Sequence, residues 1–121
     1  MKQRDTHAHG AEDELSEHRL YEAITAIRTV EEAKQFFEDL CTPTERQALY
    51  DRWRVVEPIK QGVPYRTIHD QTGVSVTTIG RVARCIHMGT GGYNLIFERI
   101  KRKTHAQSKI NPSTPEKGAT D

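Results

Sequence analysis

The segment PYRTIHDQTGVSVTTIGRVARCIH, residues 64–87, decides how this chain is read. A short helix is expected over residues 65–72. Gly73 should end it, because a left-handed backbone is easiest for glycine. Ser75 then has the side chain to cap a second helix by accepting one of its orphan amides. The apolar positions are Ile68, Val74, Ile79 and Val82. They suit two helices packed at a steep angle across a turn that contains glycine, a helix-turn-helix. Ile68 would lock the first helix onto Ile79 and Val82, and Val74 would plug the turn. The outward residues of the second helix are then Ser75, Val76, Thr77, Gly80, Arg81 and Arg84. They are small or basic, which suits entry into a major groove about 12 Å wide. The leading residues would reach base edges while flanking basic groups hold phosphates. The same pattern also occurs in purely structural helical hairpins. Two positions depart from the usual form. His69 stands where the helices approach closely and a small residue is favoured, so its ring either widens the angle or swings out toward phosphate. Gly80 costs a helix about 1 kcal/mol relative to alanine. It either permits close backbone approach to DNA or is simply tolerated.

Outward from this segment, every recognisable element is helical. Leu20, Ala23, Ile24 and Ile27 form one apolar stripe, which places a first helix over about residues 15–27. Thr29 can cap a second helix, with Glu32 three residues on completing a capping box. That helix carries Ala33, Phe36, Phe37 and Leu40 on one face. Two adjacent aromatics in so short a chain suggest a core or a subunit interface. The third helix has the strongest start signal: Thr42 as N-cap, Pro43 at the first helical position and Glu45 at the third. Leu49, Trp53, Val56 and Ile59 continue its apolar face. Pro58 removes a backbone donor and crowds the carbonyl of Arg54, so a kink or early end is expected near it. Gly62 is a natural stop. A last helix is expected over about residues 93–103, with Tyr93, Ile96, Phe97 and Ile100 on its stripe and basic residues toward its C-terminus. The fold class is therefore all-α, about six helices with no strand. Residues 1–14 and 105–121 are polar and are expected to be disordered tails flanking one helical domain over residues 15–104.

The 121 residues carry a net charge of only +1, but the charge is divided. Residues 11–39 hold nine acidic and three basic side chains, whereas residues 42–104 hold eleven basic and five acidic ones. A chain split this way offers a basic half to a polyanion, although solvated helix faces can show the same blocks. With 35% hydrophobic residues, the chain can bury only a modest core, and sharing one with a second copy is plausible. No apolar run is long enough to span a membrane, and the N-terminus has no secretory hydrophobic stretch. Cys41 and Cys85 are lone thiols without metal-ligand spacing, which fits a reducing cytoplasm. His7 and His9 lack further ligands, so no metal site is expected.

The runs LYEAI, TVEEAKQFFEDLCTPTERQAL, YRTIHDQTGVSVTTIGRV and GGYNLIFERI resemble, in this order, the tryptophan repressor superfamily. The likeness is greatest to its YerC/YecD branch and covers about residues 20–102. The resemblance implies an all-helical, intertwined homodimer that binds double-stranded DNA and represses transcription. Ile24, Phe36, Phe37 and Trp53 would then lie at the dimer interface. Two recognition helices related by a two-fold axis would read palindromic half-sites about 34 Å apart, with water carrying part of the readout. Arg66 and His69 resemble DNA-contacting positions on the first helix of the motif, and Val76, Thr77 and Gly80 resemble base-facing ones. Ser75 and Arg84 complete the expected DNA surface. Thr42, Arg52, Thr78 and Arg81 fall at positions resembling those that hold tryptophan in the repressor proper. Val82, however, stands where that repressor has glycine, and Cys85 where it has serine. A valine would intrude on a ligand. The expectation is thus no cofactor and no aromatic amino-acid effector such as tryptophan, with Arg52 and Arg81 serving phosphate contacts or intersubunit ion pairs.

An enzyme is not expected. There is no glycine-rich phosphate loop, no clustered metal ligands and no paired carboxylates. Cys85 and His87 lie two apart on a helix and face different ways, so they cannot form a nucleophile–base pair. The remaining alternatives are a helix-turn-helix that docks protein, or one that binds DNA without sequence preference.

Overall fold

The computed structural model describes residues 6–110, with side chains described over residues 10–104. It contains seven helices: α1 (Thr6–Thr25), α2 (Val30–Leu40), α3 (Pro43–Arg54), α4 (Val56–Lys60), α5 (Tyr65–Thr72), α6 (Val76–Met88) and α7 (Gly92–Ile110). No strand occurs among the described residues, so the all-α class stands. The chain divides into two compact units between Arg46 and Gln47.

In the first unit, local hydrogen bonds set the helix starts. Thr29 accepts from the Glu32 amide at 3.0 Å, and the Glu32 carboxylate accepts from the Arg28 amide at 2.9 Å. Thr42 and Glu45 form the full reciprocal box: each backbone amide donates to the other's side chain, at 2.8 and 3.2 Å. Arg46 closes the far end of α2 by donating to the Cys41 carbonyl at 2.8 Å and the Glu38 carbonyl at 3.3 Å. Phe36 and Phe37 meet edge to face, their ring centroids 5.6 Å apart. Neither is fully buried, and Ile24 is likewise only half-buried.

The second unit holds the core. Val55, Val56, Ile59, Ile68, Val74, Ile79, Val82, Ala83 and Ile86 form one buried cluster, with Val63, Tyr93 and Phe97 packed against it. α6 is the central element, touching α4, α5 and α7. It buries Ile79, Val82, Ala83 and Ile86, an i, i+3, i+4, i+7 stripe. α4 supplies Val56 and Ile59 and α5 supplies Ile68.

Three boundaries differ from the sequence reading. The expected third helix is two helices, and the break falls at Val55 rather than at Pro58. Pro58 explains the position. Breaking three residues earlier makes it the third residue of α4, where no intrahelical amide bond is needed and no carbonyl one turn back is crowded. α1 begins at Thr6, so residues 6–14 are helical rather than a disordered arm. Their polarity misled, because Ala8, Ala11, Glu12 and Glu14 in this stretch are strong helix formers whether or not they are buried. α7 runs on to Ile110 for the same reason, so residues 105–110 continue the helix instead of opening the tail. Residues 1–5 and 111–121 of the expected tails lie outside the described residues.

Candidate nucleic-acid interface

The motif is assembled as its residue types require. α5 ends at Gly73, whose φ of 78° is left-handed and whose amide donates to the His69 carbonyl at 2.8 Å. Two residues on, Ser75 Oγ accepts from the Thr78 amide at 3.1 Å and starts α6. Between them Val74 is 3% exposed, anchoring the turn in the core beside Ile68 and Ile79. The recognition helix is therefore held by its buried stripe, with its opposite face free.

On that free face stand the expected base readers. Ser75, Val76 and Thr77 are exposed, Val76 at 48% despite being apolar. Gly80 follows one turn later, half-buried, and a Cβ built there would meet no atom within 4 Å. Its missing side chain is thus not required by packing inside the chain. Arg66, Arg81 and Arg84 are exposed and make no ion pair among the described residues, so their guanidinium groups are available to phosphate. The amide end of α6 points the same way as Ser75 and adds partial positive charge.

His69 does not swing free of the turn. Its Nδ1 lies 2.8 Å from the Val74 carbonyl oxygen. A carbonyl only accepts, so Nδ1–H donates. Thr72, which sequence reading passed over, does similar work in the turn. Its hydroxyl donates to the Ile68 carbonyl at 2.7 Å and accepts from the Val74 amide at 3.1 Å. The only available signal was a threonine beside a turn glycine, which is common in loops.

The far end of α6 is clamped by α7. Asn94 Nδ2 donates to the Ile86 carbonyl at 3.0 Å, while its side-chain oxygen accepts from Lys60 on α4. Gly89 ends α6 because of close approach: a Cβ there would lie 2.5 Å from the Cys85 carbonyl oxygen. Neither clamp was foreseen, since Asn94 sits 34 residues from Lys60 in sequence.

The four residues considered for an effector are differently employed. Thr42 caps α3 in the first unit. The Thr78 hydroxyl accepts from Ser75 Oγ at 3.0 Å. Arg52 is half-buried and Arg81 exposed, and both lie near enough to Tyr93 to favour its ionised form. Burial and the neighbouring Cys85 outweigh them, so the phenol is pushed above its ordinary range. Val82 is 1% exposed and packs in the core. An open groove of about 630 Å³ lies nearby, lined by Trp53, Cys85, Tyr93 and Ile96 together with Gly89, Thr90 and Gly92. Trp53 stacks on Tyr93 along one wall, centroids 6.4 Å apart. Among the described residues, no three His, Cys, Asp or Glu side chains gather as a metal site, and no helix is long and apolar enough to cross a membrane.

Two helices packed across a glycine turn, with exposed arginines beside them, define a helix-turn-helix protein of the DNA-docking class. The comparisons agree. The model of the Trp repressor protein family matches residues 16–101. The uncharacterized protein YerC of Bacillus subtilis is 37% identical over 92 residues, covering 75% of this chain and 88% of that protein. A crystal structure of a candidate Trp repressor from Staphylococcus aureus superposes with a TM-score of 0.68 at 40% identity, covering 72% of this chain and 87% of the other. A TrpR-like protein from Eubacterium eligens gives 0.66 at 37% identity, covering 69% and 87%. The chain belongs to the Trp repressor family, helix-turn-helix DNA-binding regulators rather than enzymes.

Proposed function

We propose that this chain is a sequence-specific transcriptional regulator, a repressor that reads a palindromic operator in double-stranded DNA as a homodimer in the cytoplasm. One observation carries the reading: α6 is anchored by four buried residues while Ser75, Val76 and Thr77 stand exposed at its N-terminus. In this reading Val76 and Thr77 face base edges and Gly80 lets the backbone come close. Arg66, His69 and Arg84 hold phosphates and set the register. The second copy is supported by the exposed apolar groups of the first unit and by Trp53, which is 39% exposed. Two motifs on one two-fold axis require half-sites about one helical turn apart.

Selection from randomised duplexes tests the reading. The wild type should enrich a palindrome, and binding should weaken steeply as salt rises through counterion release. Thr77→Ala should change the preferred base at one position per half-site. Arg84→Ala should weaken all sequences alike and lower the salt slope by about 1. Enrichment of no sequence would leave a non-specific binder, and absence of any duplex binding would leave a protein-docking motif.

The regulator is read as needing no small-molecule effector. Thr42 and Thr78 already serve helix caps, and Cys85 offers a weaker hydrogen-bonding group than a hydroxyl. Calorimetry with tryptophan should give no saturable heat, and a one-per-chain isotherm would reverse this point.

A further inference from the structure

The lock between His69 and Val74 has a chemical consequence. Its Nδ1–H donates to the Val74 carbonyl, so the locked ring keeps that proton whether neutral or charged. The nitrogen left to titrate is Nε2. The two ring nitrogens point away from each other, so Nε2 faces away from the turn. His69 is exposed, and Nε2 has no hydrogen-bond partner among the described residues. Arg66 lies three residues earlier on the same face of α5, also exposed and without an ion pair among the described residues.

We propose that His69 is a positioning residue whose outward nitrogen makes duplex binding proton-linked, strengthening it as pH falls through the imidazole range. The inference rests on the DNA-docking reading above. A neutral Nε2 presents a lone pair and cannot donate to phosphate. A protonated Nε2 donates a charge-assisted hydrogen bond and adds one positive charge per motif. Because the same ring holds the residue just before the α6 cap, a phosphate gripped there is tied directly to the placement of the recognition helix.

On α5 and the two helices packed against it, basic side chains outnumber acidic ones. On α5 they are Arg66 and Asp70. On α4, packed against α5, they are Glu57, bonded to Gln61, and Lys60, bonded to Asn94. On α6 they are Arg81, Arg84 and His87. A phosphate held beside these basic groups would bring an opposite charge to Nε2 and favour its protonated form. The complex therefore takes up protons, and affinity declines as pH rises.

The test measures binding of the full chain to a labelled random-sequence duplex at constant ionic strength. Wild-type affinity should fall about tenfold from about pH 6 to about pH 8. His69→Asn places an amide N–H where Nδ1–H was, so it should keep the turn and show pH-flat binding, weaker than the wild type at the lower pH. A pH slope in His69→Asn equal to the wild type's would overturn the proposal and assign the proton elsewhere, His87 being the nearest choice. Should His69→Asn fail to fold by circular dichroism, proton NMR titration of the wild-type ring with and without duplex decides. An upward displacement on binding supports the linkage, and none overturns it. Nitrogen-15 shifts of the free chain judge the lock without DNA. An Nδ1–H tautomer is expected, and an Nε2–H tautomer rejects it. A wild type that binds no duplex at either pH rejects the DNA reading and the linkage together, whatever the tautomer.

Discussion

The two units of this chain are built on opposite economies. In the first, the starts of α2 and α3 are capped but burial is missing: Thr29, Glu32, Thr42 and Glu45 satisfy those helix ends, yet none of the described residues through Arg46 is fully buried. In the second, all nine buried hydrophobic residues of the description gather between Val55 and Ile86. Capping specifies where a helix begins but contributes only about 1 kcal/mol per end, far less than a shared core. The first unit is therefore the one expected to draw its stability from a second copy, and the second is the one that can hold a recognition helix rigid.

The largest effect expected is at the centre of the second unit. Ile68 is fully buried, and Ile68→Ala should lower the free energy of unfolding by about 3 kcal/mol in urea titration. A loss below about 1 kcal/mol would mean this core is not what holds the motif. Next comes the first unit. In the proposed homodimer, Phe36→Ala with Phe37→Ala should raise the dissociation constant about a hundredfold in sedimentation equilibrium. If the pair instead cut the stability of the isolated monomer as deeply as Ile68→Ala, the contrast between the units would fail.

Smaller effects sharpen the picture at the interface. Gly80→Ala meets open space and removes helix-interior glycine, so it should stabilise the fold by about 0.8 kcal/mol while weakening duplex binding. Stabilisation with unchanged affinity would show that the duplex backbone does not come close there. The smallest effect is alkaline. The folded Tyr93 phenol keeps its proton to a higher pH than the unfolded one. Below the unfolded value, near about pH 10, both states are protonated and this group gives no pH dependence. Above it the unfolded chain releases its proton first, so stability declines as pH rises until the folded phenol also ionises. Tyr93→Phe should make thermal unfolding between about pH 9 and about pH 11 slightly less pH-sensitive, and an unchanged slope would show that burial of the ring has no such effect.

The residues 64–87 show how far a one-dimensional reading reaches. The glycine at 73, the cap at 75 and the stripe through Ile79 and Val82 were all legible, because each depends on partners within four residues. His69 was not. Whether its ring would splay the helices, reach outward or tie back to Val74 depends on the angle between α5 and α6. Pro58 was legible as a fault but not as a location, since the chain could satisfy it by breaking at any of several earlier residues.

Sequence alone thus determined the helical class, most helix starts and the identity of the motif, because short-range hydrogen bonds and the 3.6-residue repeat are written in spacing. Only the tertiary structure decided that Asn94 clamps α6, that Trp53 stacks on Tyr93 and that His69 holds the turn. Those outcomes depend on how helices distant in the chain pack against one another, and packing angles come from the summed shape of many side chains rather than from any single residue.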